Sequence, residues 1–128
     1  MHRFGTVRVA IPFMAAAYAG AGCFSDCTTN VVAAIAVEVR SAQTGLPLAD
    51  SATGFAVDGA YSDSLIQCSA DSIGRITALC GAWERAGIYT VIVSRPGYQR
   101  WSQGNIVAVR RACHVQTQSV LAALEPVP

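Results

Sequence analysis

The sequence predicts an all-β fold, a seven-stranded sandwich with Greek-key-like connections that follows an N-terminal signal segment. Three observations support this prediction. Apolar residues recur with a period of two, glycine and proline separate the apolar runs at short intervals, and the 128-residue chain is 52% hydrophobic and 13% charged. This length allows one domain with a packed core. We expect the domain over residues 35–126, after a signal over residues 1–22 and a short tether over residues 23–34.

The first 22 residues have the organisation of a secretory signal. Residues 1–8 contain two arginines and no acidic residue, and residues 9–22 form an uncharged, largely apolar run. This run is shorter than the ~20 apolar residues that a membrane-spanning helix needs. Pro12 and the glycines at its end argue against a buried helix. We therefore expect the protein to be exported.

The first and fifth predicted strands show the two patterns typical of a sandwich. Ile35, Val37 and Val39 are apolar at alternate positions, which indicates a half-buried strand. Residues 88–93 are apolar on both faces, which is typical of a central strand. We expect strands at residues 35–40, 53–57, 61–68, 75–80, 88–93, 106–109 and 115–124.

Turn residues separate these strands. Thr44-Gly45-Leu46-Pro47, Asp58-Gly59, residues 71–74 and Pro96-Gly97 each supply glycine or proline between two apolar runs. Val115 and Val120 are five residues apart, so they would point to opposite faces of a regular strand. The last strand is therefore expected to contain a bulge.

One segment departs from the strand pattern. Residues 81–87, GAWERAG, are expected to form a single helical turn, with a local ion pair between Glu84 and Arg85.

The charge balance does not indicate a nucleic-acid-binding surface. All nine basic residues are arginines, and from Cys23 onward seven arginines accompany eight carboxylates. A chain this close to neutral lacks the basic surface that binds phosphate backbones. We expect no nucleic-acid partner.

The five cysteines, Cys23, Cys27, Cys68, Cys80 and Cys113, are an odd number, so one is left over from disulfide pairing in an exported protein. A metal site is not expected, because no second closely spaced cysteine pair accompanies Cys23 and Cys27, and His114 is the only histidine after the signal. A redox pair is not expected either, because the chain has no Cys-x-x-Cys motif.

Two processing routes account for the sequence before Cys23. Ala19-Gly20-Ala21 fits ordinary signal cleavage, which gives a chain that begins at Gly22. The stretch from Ala19 to Cys23 also resembles the lipobox of bacterial lipoproteins, although Gly20 stands where leucine is commonest. That resemblance implies lipidation of Cys23, and Phe24 beside it implies sorting to the outer membrane of a two-membrane cell.

Lipidation of Cys23 leaves four cysteines, which allow three pairings. Cys68 and Cys80 flank a turn-rich stretch and are able to face each other across a hairpin. Cys27 and Cys113 each precede a predicted strand near the two ends of the domain. This placement favours Cys68 with Cys80 and Cys27 with Cys113.

Several turn motifs resemble those of carboxypeptidase regulatory-like domains. Residues 44–52, TGLPLADSA, are similar to the TGxPLxxA turn of that family. Later steps of the family pattern match Asp71-x-x-Gly74, Gly87-x-Tyr89-x-Val91, Gly97-Tyr98 and Leu124-x-Pro126. The order of these motifs holds over residues 35–126, although the segment of residues 80–86 is longer than the short link that the family usually has there. The resemblance implies a transthyretin-like (prealbumin-like) sandwich, typically non-catalytic and found beside peptidases or alone on bacterial surfaces.

No catalytic residue, cofactor site or metal site is expected. His114 is the one candidate base for a hydrolase, and it follows Cys113 at the start of a strand, without a G-x-S-x-G motif. Asp58, Asp63 and Asp71 lie near turns without the spacing of a calcium loop.

Aromatic residues and arginines alternate in the second half of the chain and form the candidate binding face. Such combinations mark surfaces that recognise protein, peptide or sugar. The aromatic members are Trp83, Tyr89, Tyr98 and Trp101. Burial at the ends of the sandwich is the competing explanation for the two tryptophans.

Three functional hypotheses follow. The first is a non-catalytic, lipid-anchored binding or structural module of the bacterial cell envelope, attached to the membrane at Cys23. The second is a soluble periplasmic or secreted domain that binds carbohydrate or peptide through the Trp83 and Trp101 face. The third is a small hydrolase centred on His114.

Overall fold

The computed structural model describes residues 27–128, and they form an all-β domain. The predicted signal, Cys23 and the residues up to Asp26 lie outside the described residues. A short 3-10 helix, Ala49–Ser51, follows the first strand. The strands of residues 27–128 are β1 (Ala33–Ser41), β2 (Thr53–Asp58), β3 (Tyr61–Ser64), β4 (Ile66–Ala70), β5 (Ile76–Trp83), β6 (Gly87–Ser94), β7 (Trp101–Ala108), β8 (Arg110–Arg111), β9 (His114–Val115) and β10 (Gln118–Leu124).

The strands form two sheets of four and one small ribbon. The first sheet has the order β10-β1-β5-β4, the second has the order β3-β2-β6-β7, and β8 pairs with β9. Strands β1 and β10 are parallel, and the other strand pairs are antiparallel. Both four-stranded sheets therefore join strands that are distant in sequence.

The inner faces of the two sheets contribute to one hydrophobic core. The predicted alternation in β1 is confirmed, because Ile35, Val37 and Val39 are fully buried. On β6, Tyr89 and Val91 are fully buried in the same cluster. Burial of each such side chain stabilises the fold by about 1.5–3 kcal/mol.

The strand predicted over residues 61–68 is divided at Leu65, where the chain crosses from one sheet to the other. Strand β3 pairs with β2, whereas β4 pairs with β5. The Leu65 amide donates to the Gly54 carbonyl at 2.8 Å. A Cβ atom would lie 2.9 Å from the Leu65 side chain at Gly54 and 2.6 Å from it at Gly81. These two glycines make room for the buried crossover.

The strand predicted over residues 115–124 is also divided. Strand β9 pairs with β8, and β10 pairs with β1 from Gln118 onward. The odd spacing between Val115 and Val120 therefore reflects two separate strands rather than one bulged strand.

The expected helical turn over residues 81–87 is wrong. Strand β5 continues to Trp83, and β6 begins at Gly87. Residues 84–86 link them in a tight turn, and positive φ values occur at Glu84 in the turn (52°) and at Ala82 near the end of β5 (55°). The Glu84 amide donates to the Val32 carbonyl at 2.8 Å, which joins this turn to the segment before β1.

The register defines two ends of the domain. We call residues 27–32, 83–88 and 107–115 the His114 end; there Ala33 pairs with Trp83, and Gly87 pairs with Ala108. The Tyr98 end comprises residues 42–47, 94–101 and 124–128, where Tyr98 bridges to Pro126. Strand β6 runs from the first end to the second.

Candidate functional site at the His114 end

Two disulfides close the domain with the pairing that the sequence favoured. Cys27 bonds to Cys113 with their Cα atoms 5.2 Å apart, across a sequence separation of 86 residues. Cys68 bonds to Cys80 with a Cα distance of 5.8 Å and joins β4 to β5. Disulfides persist in oxidising compartments, so the protein belongs to a non-cytoplasmic location.

His114 lies next to the first disulfide and contacts two distant polar side chains. Its Nδ1 atom lies 2.5 Å from Glu84 Oε1, and its Nε2 atom lies 2.9 Å from the exposed Thr28 hydroxyl. Strand β9 holds the imidazole between the β5–β6 turn and the chain that precedes β1. The three side chains form one hydrogen-bonded row.

Glu84 connects three segments of the His114 end. Besides contacting His114, its carboxylate accepts hydrogen bonds from the Val32 amide at 3.0 Å and the Val115 amide at 3.2 Å. The hydrogen bond with the His114 side chain is the main cause that lowers the pKa of Glu84 below its ordinary value, and the two amides add to it. The ionised carboxylate is therefore the stable form in the fold.

Arg85 does not pair with Glu84, so the expected local ion pair is wrong. Its guanidinium lies 3.0 Å from an Asp58 carboxylate oxygen and 3.8 Å from the centroid of the Tyr61 ring. The Tyr89 hydroxyl accepts from Arg85 Nη1 at 3.1 Å and donates to the Arg85 carbonyl at 2.6 Å. The hydrogen bond with Tyr89 is the first cause that raises the pKa of Arg85.

The row Thr28, His114 and Glu84 has the order of a hydroxyl, imidazole and carboxylate triad. In a triad the carboxylate orients the imidazole, and Nε2 accepts the hydroxyl proton. Amide donors for an oxyanion are the other requirement. Here the Val32 and Val115 amides donate to Glu84 and are not directed at a substrate. The arrangement fastens the start of the domain to β9.

The sequence identified His114 but not its partners. Thr28 is separated from it by 86 residues and Glu84 by 30 residues, so spacing along the chain carries no signal for either contact.

An open depression of about 490 Å³ lies beside this row. Its lining is the β8–β9 ribbon, residues 111–116. Among residues 27–128, no cluster of three or more His, Cys, Asp or Glu is arranged to hold a metal ion.

The four aromatic residues of the candidate binding face do not share one face. Tyr89 is fully buried. Tyr98 and Trp101 lie at the Tyr98 end, where Trp101 pairs with Val93. Trp83 lies at the His114 end. The eight residues of β6 separate the two tryptophans by about 25 Å along the strand direction.

No family model and no curated protein matches the chain. In the described part of the chain, no helix has the length and apolar character needed to cross a membrane.

Proposed function

We propose that this protein is an exported, lipid-anchored and non-catalytic β-sandwich, a binding or structural module of the bacterial cell envelope. The observation that carries the proposal is the use of the five cysteines. Four of them form two disulfides, and Cys23 remains. Small residues precede Cys23 as in a lipobox, so a thioether to diacylglycerol accounts for the fifth thiol.

The fold supports a carboxypeptidase regulatory-like sandwich. Two four-stranded sheets contribute to one core, which is one strand more than the seven that the resemblance implies. Most of the motif residues that resemble the family lie at turns and strand ends, whereas Tyr89 and Val91 are buried within β6. Gly45 and Gly97 have positive φ values of 73° and 86°, a conformation that glycine adopts without a steric penalty.

The cysteines also explain how the domain is held at a membrane. Cys23 lies four residues before Cys27, so a fully extended tether spans at most about 14 Å. Cys27 is bonded to Cys113, and the neighbouring Thr28 hydroxyl contacts His114. A lipid on Cys23 therefore places the His114 end towards the bilayer and leaves the Tyr98 end for a partner.

Replacement of Cys23 tests the anchor. The Cys23→Ser variant is expected to lose incorporation of a fatty-acid label and to move from the membrane fraction to the soluble fraction. The double variant Cys27→Ser with Cys113→Ser keeps Cys23 and is expected to keep the label. If the Cys23→Ser variant fractionates like the parent, with its label unchanged, the anchor proposal is wrong.

The non-catalytic assignment has its own test. The parent protein is expected to show no esterase or peptidase activity that depends on His114. A measured hydrolysis that disappears in both His114→Ala and Thr28→Val, while both variants remain folded, would establish a triad and overturn this assignment.

A further inference from the structure

The His114 end exposes large apolar side chains at the place where the chain leaves towards Cys23. Each of them is at least 39% exposed. Ile88 and Val107 are direct partners on β6 and β7. The exposed apolar side chains of the His114 end are Val31, Trp83, Ile88, Val107 and Val109. They are five of the eleven exposed large apolar residues in residues 27–128, so this end is richer in them than the remaining surface.

Two arginines lie beside these apolar residues. Arg110 and Arg111 are adjacent and exposed on β8, and neither forms a salt bridge within residues 27–128. The Arg110 guanidinium donates to the Glu84 carbonyl at 2.7 Å, which holds β8 next to the turn that carries Trp83. Positive charge and apolar area therefore occur together.

The carboxylates at the same end are already engaged. Glu84 is bonded to His114 and to two amides. Asp58 pairs with Arg85, and Asp63 accepts from the Ala82 amide at 2.7 Å. Among residues 27–128, the charged groups of this end without an ion-pair partner are the two guanidinium groups of β8.

The length of the tether limits the distance between this end of the domain and a membrane that holds the lipid. About 14 Å is the greatest separation that residues 23–27 allow between the lipidated cysteine and the first disulfide. The headgroup layer of a bilayer leaflet is itself about 5–7 Å thick. If Cys23 carries the proposed lipid, the His114 end stays within contact range of the phospholipid headgroups.

We propose that the His114 end docks directly on an anionic phospholipid bilayer. Trp83, Ile88 and Val107 enter the interface between headgroups and acyl chains, where tryptophan is favoured. Arg110 and Arg111 contact lipid phosphates. This inference rests on the proposed lipid anchor, which brings the surface to the membrane, and it adds that the domain has one fixed orientation.

The two tryptophans allow this orientation to be measured. The protein contains two tryptophans, so Trp101→Phe leaves Trp83 as its only one. The exported variant is bound to vesicles of phosphatidylethanolamine and phosphatidylglycerol that contain brominated acyl chains. Trp83 emission is expected to shift to shorter wavelength and to be quenched. In the matched variant Trp83→Phe, which retains Trp101 at the opposite end, emission is expected to be unaffected. Absence of Trp83 quenching, or equal quenching of both tryptophans, contradicts the proposal.

Charge replacement tests the role of the arginines without the anchor. In the unlipidated Cys23→Ser protein, Arg111→Gln is expected to weaken binding to these vesicles about fivefold. Arg100→Gln removes the same charge from an exposed position at the Tyr98 end and is expected to change nothing. Equal effects of the two replacements contradict docking through the His114 end.

The outcomes separate this inference from the proposed function. Quenching of Trp83 in an exported protein that retains Cys23 but carries no lipid on it supports docking and refutes the anchor. A lipidated protein whose Trp83 is not quenched supports the anchor and refutes docking, and it points instead to a protein partner at this end.

Discussion

Glu84 is the residue that connects the separate segments of the His114 end. Its carboxylate joins β9, the turn after β5 and the segment before β1 through His114 and two amides. Glu84 has a positive φ of 52°, and its side chain contacts His114, whereas the neighbouring Arg85 pairs with Asp58. Proximity in sequence predicts a pair of Glu84 with Arg85, and the structure gives each of them a distant partner instead.

Acid is expected to weaken this connection. The folded protein lowers the pKa of Glu84, so its contribution to stability is complete above the ordinary carboxyl pKa of about 4.3 and is lost as the pH falls through the lower folded value. Urea unfolding of the parent and of Glu84→Gln is expected to differ at neutral pH and to converge at acidic pH. A difference that stays constant with pH contradicts this role.

The buried hydroxyl of Tyr89 gives a second prediction for a single residue. Tyr89→Phe leaves the Arg85 carbonyl without the hydroxyl that donates to it at 2.6 Å. We expect a loss of about 1–2 kcal/mol in the free energy of unfolding, measured by urea denaturation. Tyr98→Phe is the control, because the Tyr98 hydroxyl has no hydrogen bond within residues 27–128, and it is expected to be neutral. Equal losses in both variants would count against this explanation.

The strands show how far a local pattern predicts the architecture. Alternation located β1, and continuous apolar character located β6, because each pattern follows directly from burial of one or both strand faces. The change of sheet at Leu65 was not predictable in this way. It depends on pairing with β2 and β5 and on the space above two glycines, which are contacts between distant parts of the chain.

The crossover predicts a specific sensitivity of β5. In Gly81→Ala the new Cβ atom would lie 2.6 Å from Leu65 Cδ2 and 3.0 Å from Asp63 Oδ2, so the packed crossover must shift. We expect destabilisation of about 1–3 kcal/mol in urea unfolding. Gly104→Ala on β7 meets only Thr90 Oγ1 at 3.4 Å and is the matched control, with a small expected effect. The reverse order of the two effects contradicts this description of the core.

The two disulfides act on the whole molecule to different extents. Loss of Cys27–Cys113 releases a loop of 86 residues, and loss of Cys68–Cys80 releases one of 12 residues. Chain entropy predicts losses of about 4–5 kcal/mol and about 3 kcal/mol for the two double serine variants. Their free energies of unfolding, measured by urea denaturation, test this order. A larger loss for the short loop would show that the long disulfide does not constrain the unfolded chain.

The cysteine positions favoured the observed pairing over the two alternatives, because each cysteine lies near a strand that the pattern had located. The site as a whole was not predictable. The alternation of aromatic residues with arginines suggested one face, but β6 carries the chain from one end of the domain to the other between Trp83 and Trp101. Which residues share an end depends on strand direction and not on proximity in sequence.

The intact mass of the exported protein, measured without reduction, tests the central claim most directly. The expected mass is that of a chain that begins at Cys23, carries diacylglycerol on the Cys23 sulfur and contains two disulfides. Because the bridges use the other four cysteines, no thiol remains to react with an alkylating reagent. A mass that corresponds to an unacylated chain beginning at Gly22, with one free thiol, contradicts the lipid anchor.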